Sequence, residues 1–167
     1  IVMSNIYLIG DTHFGHNNII KYENRPFKNS LEMDKTIIKN WNKTVSKEDI
    51  VYHFGDFALC ATDRYIKIFK LLNGKIHLIK GNHDQQSHTK LIERMGFKSE
   101  QEKLILDGFL CTHRPVENSP YFNIHGHTHS QRNNDSKHFC VSIEKIGYKP
   151  IKFKEVKRRI NRLVNKI

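Results

Sequence analysis

Aspartate, histidine and asparagine recur in small clusters where short apolar runs of the sequence end. The clusters are Asp11-Thr12-His13, Gly55-Asp56, Gly81-Asn82-His83-Asp84, Thr112-His113 and Gly126-His127-Thr128-His129. Imidazole, carboxylate and amide oxygen together form a mixed nitrogen and oxygen ligand set. That set suits borderline divalent ions such as Mn²⁺, Fe²⁺, Zn²⁺ or Co²⁺ better than it suits Ca²⁺ or Mg²⁺. The candidate metal ligands are Asp11, His13, Asp56, Asn82, His113, His127 and His129.

So many ligands exceed what one tetrahedral ion takes, and the set predicts two ions about 3.5–4 Å apart that share a carboxylate. His127 and His129 alternate in one short segment, so two neighbouring histidines can serve two neighbouring ions. Such a pair produces a bridging hydroxide near neutral pH and clamps the oxygens of an in-line phosphoryl displacement. The predicted chemistry is hydrolysis of a phosphate ester without a serine or cysteine nucleophile.

Predicted strands and helices hold these clusters in place. Apolar runs at residues 5–10, 49–54 and 76–79 each end at a cluster, which predicts strands whose carboxyl ends converge on one volume. Amphipathic periodicity predicts a helix over 30–46, with Asn29 and Glu32 in a capping-box-like start. A second helix is predicted over 63–72, closed by Asn73-Gly74.

The second half of the chain has a different pattern. A short helix is predicted around residues 89–95, and a mostly basic one over 153–164 within the basic C-terminal segment 153–167. Short strands joined by tight turns, antiparallel or mixed, are predicted at residues 103–106, 109–112, 121–124 and 139–143. The alternation of strands and helices is typical of the α/β class.

The size of the chain, 167 residues, predicts one domain over residues 1–167, since no repeat or linker divides it. Met3 is the expected natural start, with Ile1 and Val2 added before it or arising from a non-standard start codon. Neither a leader peptide nor an apolar run of about 20 residues is visible, so no membrane association is expected. No patch in the sequence predicts an oligomer.

The net charge and the cysteine content indicate which partners and which cellular location to expect. Lys and Arg number 28 against 17 Asp and Glu, a net charge of +11, which favours anionic substrates or polyanionic partners. Solubility alone is an equally good interpretation of that charge. Cys60, Cys111 and Cys140 are widely spaced and odd in number, which indicates reduced thiols and a cytoplasmic location.

In their order along the chain, the five clusters together resemble the motifs of the calcineurin-like metallophosphoesterases. The similarity to small stand-alone phosphoesterases of bacteria and phages extends to Asp11-Thr12-His13-Phe14-Gly15-His16-Asn17, Arg25-Pro26-Phe27 and Asn40-Trp41-Asn42. The resemblance implies an α/β fold in which two mixed β-sheets pack as a sandwich with helices outside, in four layers. It also implies two divalent ions, with Mn²⁺ expected first and Fe²⁺, Zn²⁺, Ni²⁺, Co²⁺ or Mg²⁺ as alternatives.

The resemblance also implies a role for each residue. Asp11, His13 and His129 would bind the first ion, and Asp56 would bridge to the second, which Asn82, His113 and His127 would hold. Asn82 would also contact the substrate phosphate. His83 would stabilise the transition state or protonate the leaving group, with Asp84 as a candidate to orient it.

Departures from the family pattern exclude some of its members. Its protein phosphatases carry Gly-Asp-x-x-Asp-Arg-Gly, whereas residues 55–61 here lack the second aspartate and the arginine. Its break-repair nucleases are much longer and have a DNA-binding cap. Its partner-binding scaffolds have lost catalytic ligands, whereas His83 and every ligand position are filled here.

Other residues carry weaker signals. His16 could contact a substrate phosphate or cap the next helix, and Arg25 and Arg114 are candidate phosphate-binding residues. Tyr121 or Phe57 could line the site and stack on a base. We expect His53 to be a satisfied core histidine and Trp41 to lie in the core. No role is assigned to His77, His88 or His138.

Three functions compete. The leading one is metal-dependent hydrolysis of a phosphodiester or phosphomonoester in a small nucleotide-like molecule. The second is a nuclease acting on DNA or RNA, which the charge favours and which would bind polynucleotides with a steep salt dependence. The third is a metal-stabilised binding scaffold, whose function replacement of His83 would leave intact.

Overall fold

Two β-sheets of mixed strand direction form the framework of the structure, a computed structural model that describes residues 4–84 and 96–165. This confirms the predicted α/β fold with two mixed sheets. The helix predicted at residues 89–95, and His88, lie outside the described residues.

The first sheet has the strand order β4-β3-β2-β1-β9. Its strands are β1 (Ile6–Ile9), β2 (Ile50–His53), β3 (Lys75–Ile79), β4 (Ser99–Gln101) and β9 (Ile151–Lys152). The strands β1 to β4 pair in parallel, and β9 is antiparallel to β1. Ile9 pairs with His53, and His53 with Leu78. Because of this register, the loops that follow β1, β2 and β3 leave the sheet side by side.

The second sheet has the order β5-β6-β7-β8. Its strands are β5 (Lys103–Leu106), β6 (Phe109–Thr112), β7 (Asn123–His125) and β8 (His138–Cys140). A hairpin joins β5 to β6, and β6, β7 and β8 run parallel. The chain after β8 reaches the first sheet, where the Gly10 N–H donates to Val141 O at 2.9 Å and the Ile143 N–H to Gly10 O at 3.0 Å. The carboxyl ends of both sheets therefore meet at one edge.

Amphipathic helices cover the sheets. The helices are α1 (Asn17–Tyr22), α2 (Ser30–Thr44), α3 (Thr62–Leu71), the 3₁₀ turn Ile143–Lys145 and α4 (Phe153–Val164). Asn29 caps α2 as predicted, since its Oδ1 accepts the Glu32 N–H at 3.0 Å. Within the described parts of the chain, every helix is too short or too polar to cross a bilayer.

Strand and helix boundaries differ from expectation where the elements are short. The strand predicted at 121–124 is Asn123–His125, and the one predicted at 139–143 is His138–Cys140, because the chain turns at Ser142 into the 3₁₀ turn. The elements α1, β4 and β9 were not predicted, since two to six residues show no clear periodicity. The bounds predicted for α4, residues 153–164, are confirmed.

Trp41 and Phe57 both lie in the hydrophobic core. Trp41 is fully buried, as expected, and its indole N–H donates to Asn73 O at 2.8 Å. Phe57 is also fully buried, with its ring 5.2 Å from that of Phe14 and 5.6 Å from that of Phe97. The suggestion that Phe57 stacks on a base is therefore wrong.

His53 is the satisfied core histidine that its position in β2 predicts. It is fully buried, and its Nε2 lies 2.9 Å from Thr12 Oγ1. The Thr12 hydroxyl donates to Phe57 O at 2.7 Å. This chain of hydrogen bonds ties the loop after β1 to the loop after β2.

Asp49 ties the start of β1 to the start of β2. Its carboxylate accepts the backbone N–H of Asn5 at 2.8 Å and the N–H and hydroxyl of Ser46, each at 2.8 Å. Burial alone would raise the pKa of Asp49, but the hydrogen bonds from Ser46 and Asn5 outweigh burial and hold it below its usual range. We expect Asp49→Asn to lower the free energy of unfolding by about 1–3 kcal/mol near neutral pH.

The pH dependence of that loss tests its cause. Because the folded pKa is lowered, the carboxylate's contribution is complete above the unfolded pKa of about 3.9 and is lost as pH falls through the folded pKa. Urea unfolding of both proteins at about pH 7 and about pH 3 should show the difference shrinking at the lower pH. An equal difference at the two pH values would contradict this explanation.

Candidate metal centre

Strained backbone marks the loops at the shared edge of the two sheets. Eight described residues other than glycine have a positive φ, and five of them are predicted ligands: Asp11 (55°), His13 (49°), Asp56 (53°), His127 (66°) and His129 (48°). A residue with a side chain adopts this region at a cost, so the surrounding structure must hold it there. The strain is concentrated where ligand side chains need to be aimed.

Glycines let these loops approach one another. A Cβ on Gly126 would lie 2.7 Å from Asp11 Oδ2, and a Cβ on Gly81 would collide with the Asp56 carboxylate. This explains why glycine precedes Asn82 and His127 in the two longest clusters. Larger residues there would push the loops apart.

The first group of ligand atoms comes from Asp11, His13 and His129, all buried. One ligand atom from each lies within 4.8 Å of the other two. Asp11 and His13 follow β1, while His129 lies in the loop between β7 and β8. The two sheets thus contribute jointly to one group, as the predicted first ion requires.

The second group comes from Asp56, His113 and His127, again with one ligand atom of each within 4.8 Å of the others. His113 Nε2 lies 3.1 Å from His127 Nδ1 and 2.9 Å from Asn82 Oδ1. Asn82 Oδ1 therefore lies beside this group of candidate ligand atoms.

Asp56 lies between the two groups. Its Oδ2 is 3.6 Å from His13 Nε2 in the first group and 3.4 Å from His113 Nε2 in the second. Its Oδ1 accepts the His83 backbone N–H at 2.9 Å. A carboxylate in this place is suited to bridge two cations.

A buried nitrogen without a partner tests whether a cation fits. His13 Nε2 is buried and accepts or donates no hydrogen bond, an arrangement that is costly unless another group pairs with the atom. Burial lowers the pKa of His13 to about 2, so its ring is neutral near pH 7 and Nε2 can offer a lone pair. A divalent ion between Asp11, His13 and His129 would satisfy this atom, and the donor set fits the metal that the sequence predicts.

The electrostatics of the groups also favour a cation. Burial raises the pKa of Asp11 to about 6, despite the nearby rings of His113 and His129 and a hydrogen bond from the Ser142 hydroxyl at 2.6 Å. Burial would likewise raise the pKa of Asp56, but the hydrogen bond and charge of His113 outweigh it and lower that pKa. Burial, followed by the charges of His113 and Arg114, lowers the pKa of His127 to about 4.

Outer contacts orient two of the imidazoles. The Nδ1–H of His113 donates to Phe54 O at 2.6 Å, and that of His129 to Glu144 Oε1 at 3.0 Å. In both rings Nε2 is left to face the centre, the arrangement by which proteins fix the tautomer of a metal-binding histidine.

Glu144 and Arg25 support the first group through contacts with His129 and with the loop after β1. Arg25 donates to Glu144 Oε1 through Nε at 2.8 Å, to Asp11 O through Nη2 at 2.7 Å and to Thr12 O through Nη1 at 2.9 Å. Its side chain is fully buried. The expected contact of Arg25 with substrate phosphate therefore has no support in the structure, because the guanidinium is buried against Glu144 and the loop after β1.

Asp84 is engaged in a similar way. Its carboxylate accepts the backbone N–H groups of Asp56 at 2.7 Å, Phe57 at 3.1 Å and Gly81 at 2.8 Å. It joins the loop after β3 to the loop after β2 and makes no described hydrogen bond with the ring of His83. The structure thus gives Asp84 a loop-bracing position, not the orienting contact that the sequence suggested.

Two histidines outside the ligand groups border the centre. The exposed ring of His83 lies 5.5 Å from that of His13, edge to face. His16 is half-buried, with Nδ1 3.3 Å from His13 Nδ1, and burial lowers its pKa. Both rings therefore lie beside the first group of candidate ligand atoms.

Ser142 and Glu144 are contacts that sequence reasoning missed. Both lie just after β8, where the hydroxyl of Ser142 contacts Asp11 and the carboxylate of Glu144 contacts His129. Neither belongs to a motif, and more than a hundred residues separate Ser142 from Asp11. No signal in the local sequence pointed to either residue.

We expect Glu144→Gln to weaken binding of the ion held by Asp11, His13 and His129 by about 10- to 100-fold, because an amide supports the His129 imidazole less well than a carboxylate. Titration calorimetry of metal-stripped protein with Mn²⁺ would show one weakened binding step and one unchanged step. Glu117→Gln is the matched control, since Glu117 is an exposed partner of Arg132. Two unchanged binding steps in Glu144→Gln would contradict the bracing role.

Comparisons with known proteins identify the family. The family model described as calcineurin-like phosphoesterase matches residues 4–160. An uncharacterised protein of Methanocaldococcus jannaschii is 42% identical over 163 residues, covering 89% of this chain and 87% of that protein. The gene 66 protein of mycobacterium phage L5 is 33% identical over 85 residues, 49% of this chain and 41% of that protein.

Two solved structures share the fold. A protein of unknown function from Aquifex aeolicus superposes with a TM-score of 0.76 at 26% identity, covering 95% of this chain and all of that one. A nuclease from Pseudomonas putida superposes with a TM-score of 0.57 at 20% identity, over 74% of this chain and 61% of its own, which is a likeness of fold alone. The resemblance stated from the sequence is confirmed by the family match: the chain belongs to the calcineurin-like phosphoesterases.

Proposed function

We propose that this chain is a metal-dependent phosphoesterase that hydrolyses a phosphodiester or a phosphomonoester in a small nucleotide-like molecule. The observation that carries the proposal is the placement of Asp56 Oδ2, 3.6 Å from His13 Nε2 of the first group and 3.4 Å from His113 Nε2 of its own group, so that one carboxylate reaches both. The membership of this chain in the calcineurin-like phosphoesterase family supports the same reaction class.

Two divalent ions held by these groups would supply positive charge for phosphoryl oxygens and a water of lowered pKa. We place Mn²⁺ first among the candidates, with Fe²⁺, Zn²⁺, Ni²⁺, Co²⁺ and Mg²⁺ as alternatives, since carboxylates, imidazoles and an amide oxygen make up the donor set. The cytoplasmic location remains a prediction from the cysteine content.

The residues of the chain supply the remaining functions. His83 is exposed beside His13 and is suited to donate a proton to the leaving group or to stabilise negative charge. Asn82 is exposed next to His113, and its amide N–H can donate to a phosphate oxygen. His16, on the other side of His13, is a further candidate for substrate contact.

Access to the centre is open on the side of His113. A cavity of about 430 Å³ reaches Gly81 and His113 and is lined by Lys80, Lys103 and Arg114 together with the acidic Glu102, while Lys80 pairs with Glu100. Cationic walls attract an anionic substrate. A cavity of this size suits a small phosphate ester.

A nuclease acting on DNA or RNA is the second candidate, and the net charge of +11 favours it. Binding of a single-stranded oligonucleotide that weakens steeply with salt would support this alternative. Binding that is weak at every salt concentration would leave the charge as a contribution to solubility.

The test of the proposed function starts from metal-stripped protein. We expect hydrolysis of bis(4-nitrophenyl) phosphate or of 4-nitrophenyl phosphate to appear when Mn²⁺ is added back, and the preferred ester to define the substrate class. Failure to bind any of the candidate ions would overturn the proposal. Binding of two ions without turnover of either ester or of an oligonucleotide would leave the scaffold as the better account.

A further inference from the structure

Two adjoining cavities lead away from the metal centre along β5 and β6. The first, of about 430 Å³, includes His113, and the second, of about 560 Å³, lies beyond it. They share Lys103, Thr112 and Val116 in their walls. We call the pair the β5–β6 groove.

The near part of the groove is cationic. Lys103 and Arg114 are both exposed there, no described ion pair neutralises either of them, and Glu102 is the acidic residue in the lining. Arg114 follows His113 directly, and its carbonyl accepts the Thr112 hydroxyl at 2.6 Å, which fixes the turn after β6. A phosphate group next to the centre would meet these two charges first.

The far part of the groove is apolar and exposed. Ile105 (50% exposed), Val116 (37%) and Tyr121 (49%) line it. They make up three of the eight large apolar residues that the described chain leaves exposed. Exposed apolar side chains gathered in one concavity mark a binding site more often than scattered ones do.

Polar groups at the rim narrow the class of ligand. Thr112, Asn118 and Ser119 join the apolar residues in lining the far cavity. The turn that carries Tyr121 is held by its own N–H, which donates to Ser119 Oγ at 3.0 Å. The Thr112 hydroxyl is already paired, since it donates to Arg114 O and accepts the Asn123 amide, so Asn118 and the Ser119 O–H are the groups left for a ligand. An acyl chain could not bond to them, whereas a nucleobase offers a flat face to Tyr121 and hydrogen-bonding edges to the rim.

We propose that the β5–β6 groove binds the nucleoside part of a nucleotide substrate, with its base stacked on Tyr121 and its phosphate at the metal centre. The inference rests on the proposed function and specifies its substrate class. Leu110, in the far cavity, is three residues before His113 on a strand, so the two positions are about 10 Å apart. The Leu110 N–H donates at 3.0 Å to the carbonyl of Phe122, the neighbour of Tyr121, and the Tyr121 side chain lines the same cavity. The groove therefore joins the place of the base to the metal centre.

The test compares two ligands that differ only in the base. Thymidine 5′-monophosphate and 2-deoxyribose 5-phosphate carry the same phosphate, and their affinities for the Mn²⁺-loaded protein can be measured by calorimetry. We expect the nucleotide to bind about 5- to 150-fold more tightly, the range of one base stacked on one aromatic ring. Tyr121→Ala should remove that preference, and Tyr121→Phe should keep it.

Tyr22 provides the matched control. It is the other exposed tyrosine of the described chain, and its ring lies 6.3 Å from that of His16, on a different side of the centre. We expect Tyr22→Ala to keep the preference for the nucleotide. Loss of the preference in Tyr22→Ala instead of Tyr121→Ala would overturn the inference, as would equal binding of the two ligands by the parent protein.

Turnover of bis(4-nitrophenyl) phosphate, measured on the same proteins, tests the phosphoesterase function separately from the assignment of the β5–β6 groove. If that turnover is Mn²⁺-dependent and Tyr121→Ala binds both ligands as the parent does, the groove assignment is wrong and the proposed function stands. If Mn²⁺ elicits no turnover of any ester tested, the proposed function fails and the assignment of a substrate subsite fails with it.

Discussion

The Asp56→Asn variant is expected to lose turnover of a nitrophenyl phosphate ester by about 10³-fold or more. The reason is its place: Oδ2 lies 3.6 Å from His13 Nε2 and 3.4 Å from His113 Nε2, so one carboxylate serves both groups of ligands. An amide has nearly the same shape, but it lacks the negative charge and can offer only one oxygen. The variant should still accept the His83 N–H, as Oδ1 does in the parent chain at 2.9 Å.

Two measurements separate this loss from unfolding. Metal content after dialysis should drop in Asp56→Asn, while the circular dichroism spectrum should be retained. Asp49→Asn is the matched control, because it also removes a buried carboxylate that accepts backbone N–H groups, but far from the centre. It should lose stability and keep its turnover per folded molecule. Full turnover by Asp56→Asn would exclude a shared carboxylate at this position.

Parts of the fold were predictable because periodic patterns extend over many residues. The helix α2 has a capping residue, Asn29, and a buried stripe that includes Ile37 and Trp41, so both its type and its start could be predicted. The two-residue strand β9 has no such pattern, and only its antiparallel pairing with β1 makes it a strand. Short elements acquire their structure from neighbours that the local sequence does not name.

The clustering of the candidate ligands was predictable for a different reason. A polar cluster after a buried strand has few structural uses, and parallel strands bring their carboxyl ends to one edge. That argument places Asp11, Asp56 and Asn82 together without any knowledge of strand order. It does not describe the backbone, and the positive φ of Asp11, His13 and Asp56 became visible only in the structure.

The outer contacts were beyond prediction from sequence. Arg25 was a candidate phosphate-binding residue because it precedes Pro26 in a loop expected near the site. The structure buries it against Glu144, 119 positions away, and against the carbonyls of Asp11 and Thr12. Only the approach of the segment after β8 to the loop after β1 makes that pair possible.

The contacts of Asp84 also depend on how a loop folds back, which the local sequence does not show. Its adjacency to His83 suggested a direct contact between the two side chains. The chain turns after Gly81 so that the Asp84 carboxylate accepts three backbone N–H groups, two of them from the loop after β2. Sequence distance measures contact poorly in a loop that folds back on its neighbour.

The second large effect is expected for His83. Replacing His83 with asparagine should reduce the turnover of a phosphate ester by about 10²- to 10⁴-fold while leaving both Mn²⁺ ions bound. The side chain belongs to neither ligand group, and its exposed ring lies edge to face with His13 at 5.5 Å. What the variant loses is a proton donor or a charge at the substrate, not a ligand.

The size of the loss on two substrates distinguishes these roles of His83. A 4-nitrophenolate leaves without help from an acid, whereas an alkoxide leaving group requires a proton. If His83 protonates the leaving group, His83→Asn should lose far more turnover on a methyl ester than on the matching 4-nitrophenyl ester. Equal losses on both would assign it to stabilisation of charge on the phosphoryl oxygens.

His77→Asn is the matched control for this experiment. His77 lies in β3, where its Nδ1 contacts Ser99 Oγ at 2.7 Å, away from both ligand groups. It should bind Mn²⁺ and turn over both esters as the parent does. If His83→Asn did the same, the imidazole of His83 would have no part in the reaction, and the enzymatic interpretation of the Gly-Asn-His cluster would have to rest on Asn82 alone.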